Sequence, residues 1–221
     1  MSRRIWWFLG GGIALAVVAL VAGPLVYAAL QDDAPAARTV QSQPEGAALT
    51  EETDGSWTVA EGSTAGYRVD EVLNGADVAV AGTTEQVSGS LVVADGALTE
   101  AEVTVDVASI ATDNGRRDAY FRDNVMDVAA HPTATFTVTG PVELPELTGT
   151  PQTVPVPGEL TLTGVTRPVE VELSAVLTPE GAEVSGSVPV AFADFGIEPP
   201  DLGFVRVEDA GSIELFLVLT R

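Results

Sequence analysis

Residues 101–107 read Ala-Glu-Val-Thr-Val-Asp-Val, with an apolar side chain at every odd position and a polar one at every even position. Residues 169–175, Val-Glu-Val-Glu-Leu-Ser-Ala, repeat this pattern, and residues 212–215, Ser-Ile-Glu-Leu, show it again. A period of two places one set of side chains on a buried face and the other in water, which is typical of antiparallel β-strands. The folded part of the chain is therefore predicted to be all-β.

Further strands are predicted where apolar and β-branched residues lie between turn-forming residues. The pairs Asn74-Gly75, Asp95-Gly96 and Glu180-Gly181 fit tight antiparallel turns. No helix recurs between the strands, which disfavours parallel α/β folds and leaves an antiparallel barrel or sandwich. The further predicted strands are 57–60, 66–72, 78–81, 87–93, 134–139, 158–163 and 183–192.

Two segments interrupt the series of strands. Residues 116–130 lack alternation, while Phe121, Val125 and Val128 recur at helical spacing, so a short helix with one apolar face is predicted before Pro132. We expect this helix to cap an opening of the barrel. The proline-rich stretch 141–157 is predicted to be a long loop.

The amino-terminal segment is predicted to be a membrane anchor. Residues 5–30 contain no charged side chain, and this uncharged run is long enough to form one transmembrane helix. Arg3 and Arg4 precede the run, so the positive-inside rule keeps residues 1–4 in the cytoplasm and exports the rest. A cleaved signal peptide is the alternative, but its apolar region is usually only about 7–15 residues long. We therefore expect a single-pass protein of the cell membrane with an extracytoplasmic C-terminal domain.

Residues 31–56 separate this anchor from the folded domain. They contain no aromatic residue and are rich in Ala, Pro, Gln, Glu, Asp and Thr, a composition that buries too little apolar surface to fold. We expect a flexible linker that spans about 28 Å as a coil. The folded domain is predicted to occupy residues 57–221.

Charge and composition exclude several classes of function. After the apolar run the chain carries eight arginines against 32 acidic residues, a formal net charge of −24, which disfavours nucleic acid as a partner. The absence of cysteine excludes disulfides and thiolate nucleophiles, and a single histidine, His131, excludes multi-histidine metal sites. No catalytic or metal site is predicted, and we expect a protein that is not an enzyme.

The inward residues of the predicted barrel are mostly small, namely Val, Ala, Leu and Gly. A barrel of about eight strands is either filled by its own side chains or holds one ligand. An apolar tunnel would bind an apolar ligand because both surfaces leave water, at roughly 25 cal/mol per Å². The pattern is equally compatible with a packed core, so both alternatives stay open.

Five segments between Trp57 and Arg221 occur in the same order as in one known family. In these five segments the chain resembles the YceI-like family of exported, polyisoprenoid-binding, lipocalin-like barrels. The segments are Trp57-Thr58-Val59 with Gly66-Tyr67-Arg68-Val69, residues 108–118 (Ala-Ser-Ile-Ala-Thr-Asp-Asn-Gly-Arg-Arg-Asp), residues 131–136 (His-Pro-Thr-Ala-Thr-Phe), residues 158–169 (Gly-Glu-Leu-Thr-Leu-Thr-Gly-Val-Thr-Arg-Pro-Val) and residues 192–197 (Phe-Ala-Asp-Phe-Gly-Ile).

The resemblance implies an eight-stranded antiparallel barrel with one short helix and a polyisoprenoid or quinone-type lipid in its tunnel. It implies an extracytoplasmic carrier or store of that lipid and no cofactor beyond it. A structural exported barrel with a filled core and an enzyme acting on such a lipid are the alternatives. Ala119 stands where the family commonly has a histidine and His131 where it has an aromatic residue, so headgroup specificity is not carried over.

The candidate ligand-binding residues form two groups. Arg116, Arg117 and Arg122 cluster at the predicted helix and are candidates for receiving a pyrophosphate or quinone oxygen at the tunnel mouth. Pairing with Asp113, Asp118 and Asp123 is the alternative role for these arginines. The sequence leaves open whether the protein forms a homodimer. The candidates for lining the tunnel are Tyr67, Val103, Val105, Phe121, Phe136, Leu160, Leu162, Val171, Leu173, Val188, Val190, Phe192 and Phe195.

Overall fold

The structure, a computed structural model, describes residues 34–50, 53–73 and 75–221. Their strands belong to one sheet in which all pairings are antiparallel, and most of them alternate between more and less buried side chains. The strands are β1 (Gly55–Val59), β2 (Thr64–Leu73), β3 (Ala76–Thr84), β4 (Val87–Ala94), β5 (Ala97–Asp106), β6 (Thr133–Val138), β7 (Val142–Glu143), β8 (Gln152–Leu162), β9 (Val165–Thr178), β10 (Gly181–Ala191) and β11 (Val205–Thr220).

The sheet closes on itself as an eight-stranded barrel because three pairs of these segments act as single interrupted strands. β1 and β2 both pair with β11, with Val59 opposite Leu219 and Thr64 opposite Phe216. On their other side, β1 pairs with β4 and β2 with β3, so β3 and β4 also act as one interrupted strand. β6 and β7 pair in the same way with successive parts of β5. The predicted eight-stranded antiparallel barrel is confirmed.

The predicted short helix is also confirmed. Helix α1 (Gly115–Tyr120) continues into one wider turn over Phe121–Val125. The Asn114 side-chain oxygen accepts hydrogen bonds from the backbone N–H groups of Arg116 (3.0 Å) and Arg117 (3.4 Å), which satisfies donors left free in the first turn. The helix therefore begins where the sequence supplies a capping residue.

The long loop predicted for residues 141–157 is wrong. β7 lies within it, and β8 begins at Gln152 and includes Pro155 and Pro157, which pair with Glu172 and Glu170 of β9. The Pro157 carbonyl accepts a hydrogen bond from Thr139 on the side away from β9, so the missing proline N–H groups face that same side. The register of β6 with β8 begins at Gly158, so both prolines stand just beyond the paired positions, where the ladder ends.

Residues 34–50, within the predicted flexible linker, lie along the outer surface of the barrel, and we call them the strap. They contain no helix or strand, yet Val40 is buried against Val176 and Phe216 on the outward faces of β9 and β11. The Val40 N–H donates to Ser185 Oγ (3.1 Å), and the Arg38 guanidinium lies 3.8 Å from the centre of the Phe216 ring. The structure differs here from a free coil because the barrel offers an external apolar patch.

The predicted transmembrane helix at residues 5–30 and the cytoplasmic residues 1–4 lie outside the described residues. Within the described part of the chain, no helix combines the length and apolar character needed to cross a membrane.

Candidate functional site

The interior of the barrel contains two adjoining cavities. A mouth cavity of about 540 Å³ lies beside α1, and an inner cavity of about 160 Å³ lies at the end that contains Trp57. Both are lined by Ala65, Val105, Ala134 and Ile213, so they meet at these four residues. The sequence is compatible with both a packed core and a hollow interior, and the structure has the hollow interior.

The inner cavity is lined almost entirely by apolar side chains from the inward positions of the strands. Six of the predicted tunnel residues lie only here: Val103, Phe136, Leu160, Val171, Leu173 and Val188. Trp57 and three inward leucines of β11, Leu215, Leu217 and Leu219, also line it and were missed. The alternation at residues 212–215 would have found the leucines if it had been extended to Leu219.

The mouth cavity brings together residues from the strands and from α1. The predicted residues that lie only here are Tyr67, Phe121, Leu162, Val190 and Phe192, together with Arg116 and Arg117. Two predictions are not placed in either cavity. Phe195 is 3% exposed in the adjacent core, in a short helical turn (Phe192–Phe195) after β10. Arg122 directly follows Phe121, which lines the mouth cavity. Successive residues of a helical turn point in directions about 100° apart, so Arg122 does not point in the same direction as Phe121.

Glu71 is a charged residue of the mouth cavity that the sequence analysis also missed. It lies on β2 at the same parity as Tyr67, lines the mouth cavity and is only 5% exposed. Arg117 Nη2 lies 3.6 Å from the Glu71 carboxylate, and Arg117 Nη1 lies 2.7 Å from the carboxylate of Asp113. Burial raises the pKa of the Glu71 carboxyl, and the positive charge of Arg117 opposes this rise. The parity of β2 was the signal that could have identified Glu71.

Tyr67 occupies the wall of the mouth cavity between α1 and β3. Its ring stacks on Phe121 with the ring centres 4.8 Å apart, and a Cβ at Gly82 would lie 2.6 Å from the Tyr67 ring. Glycine at position 82 is thus required for this close approach. Burial raises the pKa of Tyr67 to about 12, so the phenol is uncharged at neutral pH.

Asp118 holds the start of α1 against the preceding loop. It is 8% exposed, and its carboxylate accepts hydrogen bonds from the Thr112 N–H (2.9 Å) and the Thr112 hydroxyl (2.7 Å). Of the acidic partners predicted for the arginines, only Asp113 forms an ion pair within the described residues. Asp118 instead fixes the loop that positions Arg117.

The arrangement is therefore an apolar tunnel with a small polar cluster at one end. Two carboxylates, Glu71 and Asp113, share the positive charge of Arg117, so this cluster has no excess positive charge to offer an anion. Among the described residues, no cluster of three or more His, Cys, Asp or Glu side chains could hold a metal ion. The site fits an elongated apolar molecule with a small polar end.

Two solved structures share this fold. A polyisoprenoid-binding domain from Saccharophagus degradans, implicated in plant cell wall breakdown, has a TM-score of 0.59 at 18% identity, covering 74% of this chain and 97% of that one. BcnA from Burkholderia cenocepacia also has a TM-score of 0.59, at 19% identity over 72% of this chain and 96% of its own. At this level of identity the likeness shows the fold.

Sequence comparison points to the same group of proteins. A UPF0312 protein of Pseudomonas aeruginosa is 33% identical over 111 residues, which are 46% of this chain and 53% of that protein. A UPF0312 protein of Pseudomonas paraeruginosa matches to the same extent, so the chain spans about half the length of these curated relatives. The model of the YceI-like domain matches residues 57–219, from β1 to the end of β11. The chain belongs to the YceI-like domain family.

Proposed function

We propose that this protein binds a long-chain apolar lipid, a polyisoprenoid or an isoprenoid quinone, inside the barrel. The observation that carries the proposal is the pair of apolar cavities that meet at Ala65, Val105, Ala134 and Ile213. A tail that leaves water for this tunnel gains roughly 25 cal/mol per Å² of apolar surface buried. The polyisoprenoid-binding domain of Saccharophagus degradans, which has the same fold, supports this class of ligand.

The polar cluster at the mouth favours an uncharged headgroup. A diphosphate would enter beside the carboxylates of Glu71 and Asp113, where the Arg117 guanidinium is already paired and Arg116 is the one unpaired arginine among the described residues of the cavity wall. A quinone or an alcohol needs only hydrogen-bonding groups, and the neutral phenol of Tyr67 is one such group in the cavity wall. Of the two headgroups considered from the sequence, the quinone type is therefore the better match.

The biological role that we propose is an extracytoplasmic carrier or store of this lipid. The uncharged run at residues 5–30, with Arg3 and Arg4 before it, would hold the domain at the outer face of the cell membrane, where such lipids enter and leave. Binding is preferred over catalysis because Glu71 and Arg117, the charged pair nearest the tunnel, are engaged with each other. An enzyme acting on the lipid would instead lose turnover, but retain binding, when one polar residue is changed.

The proposed function is tested by extracting the full chain, purified from its native membrane, with organic solvent and analysing the extract by mass spectrometry. We expect an uncharged isoprenoid species in a constant ratio to protein. Recovery of a polyprenyl diphosphate would contradict the headgroup preference but not lipid binding. Repeated recovery of no long apolar species would contradict lipid binding itself.

A further inference from the structure

The rim of the mouth cavity is the place where large apolar side chains face water. Of the described residues, Tyr120, Leu202 and Phe204 are the large apolar ones that are exposed, at 37%, 48% and 57%. All three also line the mouth cavity. Scattered exposed apolar residues are ordinary on a protein surface, but a group of them around one opening marks an interaction site.

The turn between Asp201 and Arg206 carries two of these side chains at the rim of the mouth cavity. The Leu202 N–H donates to the Val205 carbonyl (2.9 Å), and the Gly203 N–H donates to the Asp201 carboxylate (3.1 Å). Gly203 has a φ of +80°, which favours glycine at the tip. Leu202 and Phe204 therefore project from a hydrogen-bonded turn and do not fold back to fill the cavity.

The strap, as far as the structure describes it, begins at this same end of the barrel. The Ala34 N–H donates to the Ala79 carbonyl on β3 (3.2 Å), and Ala79 pairs with Asp70. Asp70 lies between Val69 and Glu71, both of which line the mouth cavity. From there the strap leads away towards the other end of the barrel, where the Thr50 N–H donates to the Thr178 carbonyl.

This position limits how far the mouth can lie from the uncharged run at residues 5–30. Only residues 31–33 separate Leu30 from Ala34, and the covalent chain spans at most about 14 Å between those two residues. A coil of the whole predicted linker would allow the barrel to rotate freely above a membrane. The strap removes most of that freedom because it is fixed along the barrel.

We propose that the mouth docks on the lipid bilayer, with Leu202, Phe204 and Tyr120 in contact with the membrane interface. The exposed arginines Arg116 and Arg206 beside them form no ion pair in the described part of the chain and are suited to contact lipid phosphates. The ligand then passes between bilayer and tunnel without crossing water. This inference rests on the proposed function and on the predicted anchor.

The chain contains no cysteine, so a single introduced cysteine can carry a polarity-sensitive fluorophore. We would reconstitute the full chain into phosphatidylcholine vesicles and label Phe204→Cys at the mouth or Glu180→Cys in the exposed turn at the opposite end. At position 204 we expect blue-shifted emission that spin-labelled lipids quench at least twofold. At position 180 we expect emission as in water and no quenching.

The proposal is overturned if the chain fails to float with the vesicles, or if it floats while position 204 is as exposed to water as position 180. Neither result bears on lipid binding, which solvent extraction measures separately. As a second test, the Leu202→Ser/Phe204→Ser variant should load a long-chain quinone from vesicles at least fivefold more slowly than the natural chain. An unchanged loading rate would contradict the proposal.

Discussion

At the scale of single residues, Glu71 decides the character of the tunnel mouth. It is an acidic residue at an inward position of β2, where its neighbours of the same parity, Tyr67, Val69 and Leu73, are apolar or aromatic. Burial of a carboxyl disfavours its charged form, and the Arg117 guanidinium offsets part of this cost. Arg117 is thereby occupied, which supports the uncharged headgroup that we propose.

The raised pKa of Glu71 predicts a pH-dependent stability. The folded protein retains the proton at pH values where the unfolded chain has lost it, so this contribution is complete below the ordinary glutamate pKa of about 4.3. It is lost as the pH rises through the raised pKa. The Glu71→Gln variant has no carboxyl to ionise at this position, so it does not lose stability in this way. Its free energy of unfolding should exceed that of the natural chain at pH 7, and the difference between the two should shrink towards pH 4.

Urea unfolding of the full chain at several pH values would measure this gap. Asp70→Asn is the matched control, because it makes the same charge change one residue away at an exposed position. An equal gap in Asp70→Asn would mean that the effect comes from the change in net charge and not from the burial of Glu71. A Glu71→Gln variant that is less stable than the natural chain at every pH would mean that the ion pair with Arg117 outweighs the burial cost.

At the scale of elements, the strap and β8 both depart from what their composition indicates. Proline-rich segments are interpreted as loops because proline donates no ladder bond, but Pro155 and Pro157 pair with β9 and stand beyond the paired positions of β6 and β8. The strap lacks regular structure, and yet Val40 completes a small external core with Val176 and Phe216. β8 is held by its pairing with β9, and the strap is held by the apolar surface that β9 and β11 offer to Val40.

The strap's attachment depends on a hydrogen bond that can be removed. Ser185→Ala leaves the Val40 N–H without its acceptor in a buried position, and we expect a loss of about 1–3 kcal/mol in the free energy of unfolding. Hydrogen exchange of the Val40 amide should become faster. Ser187→Ala, at an exposed position of the same strand, should stay within about 0.5 kcal/mol of the natural chain. Unaltered exchange at Val40 would contradict this account.

At the scale of the whole molecule, the hollow barrel is the property from which function follows. Eight strands contribute mostly small inward side chains, and the remaining space is divided into two cavities that meet at two alanines, a valine and an isoleucine. The volume of the mouth cavity lies within the range of about 300–1,000 Å³ that is usual for small-molecule sites. A long tail would need both cavities, whereas a short one would need only the mouth.

Ala134 lies where the cavities meet and gives a test of this difference. Ala134→Phe should weaken the binding of a long-chain isoprenoid quinone at least tenfold, or about 1.4 kcal/mol. The binding of a quinone with a single isoprene unit should be unchanged, because it fits within the mouth cavity. Calorimetric titration of the full chain with both ligands would measure this. Thr133→Phe places the same ring at an exposed neighbouring position as the control, and equal weakening of both ligands would contradict a continuous tunnel.

Much of the site could be predicted from parity, and its exceptions have physical reasons. Twelve of the thirteen predicted lining residues lie in the two cavities, and ten of these are strand residues, whose side-chain direction follows from their position in the alternation. Parity has no meaning for Phe121, Phe192 and Phe195, which lie in helical turns, and of these three Phe195 lies outside both cavities. Leu202 and Phe204 lie in a loop and gave no periodic signal.

The sequence by itself determined that this chain forms antiparallel strands with one apolar face, one short helix and an acidic exterior. These are local properties, set by backbone geometry and side-chain type within a few residues. Only the tertiary structure decided that the barrel is hollow, that Glu71 meets Arg117 and that the strap begins beside the mouth. Those features depend on the volumes and positions of side chains from distant strands, which no local pattern contains.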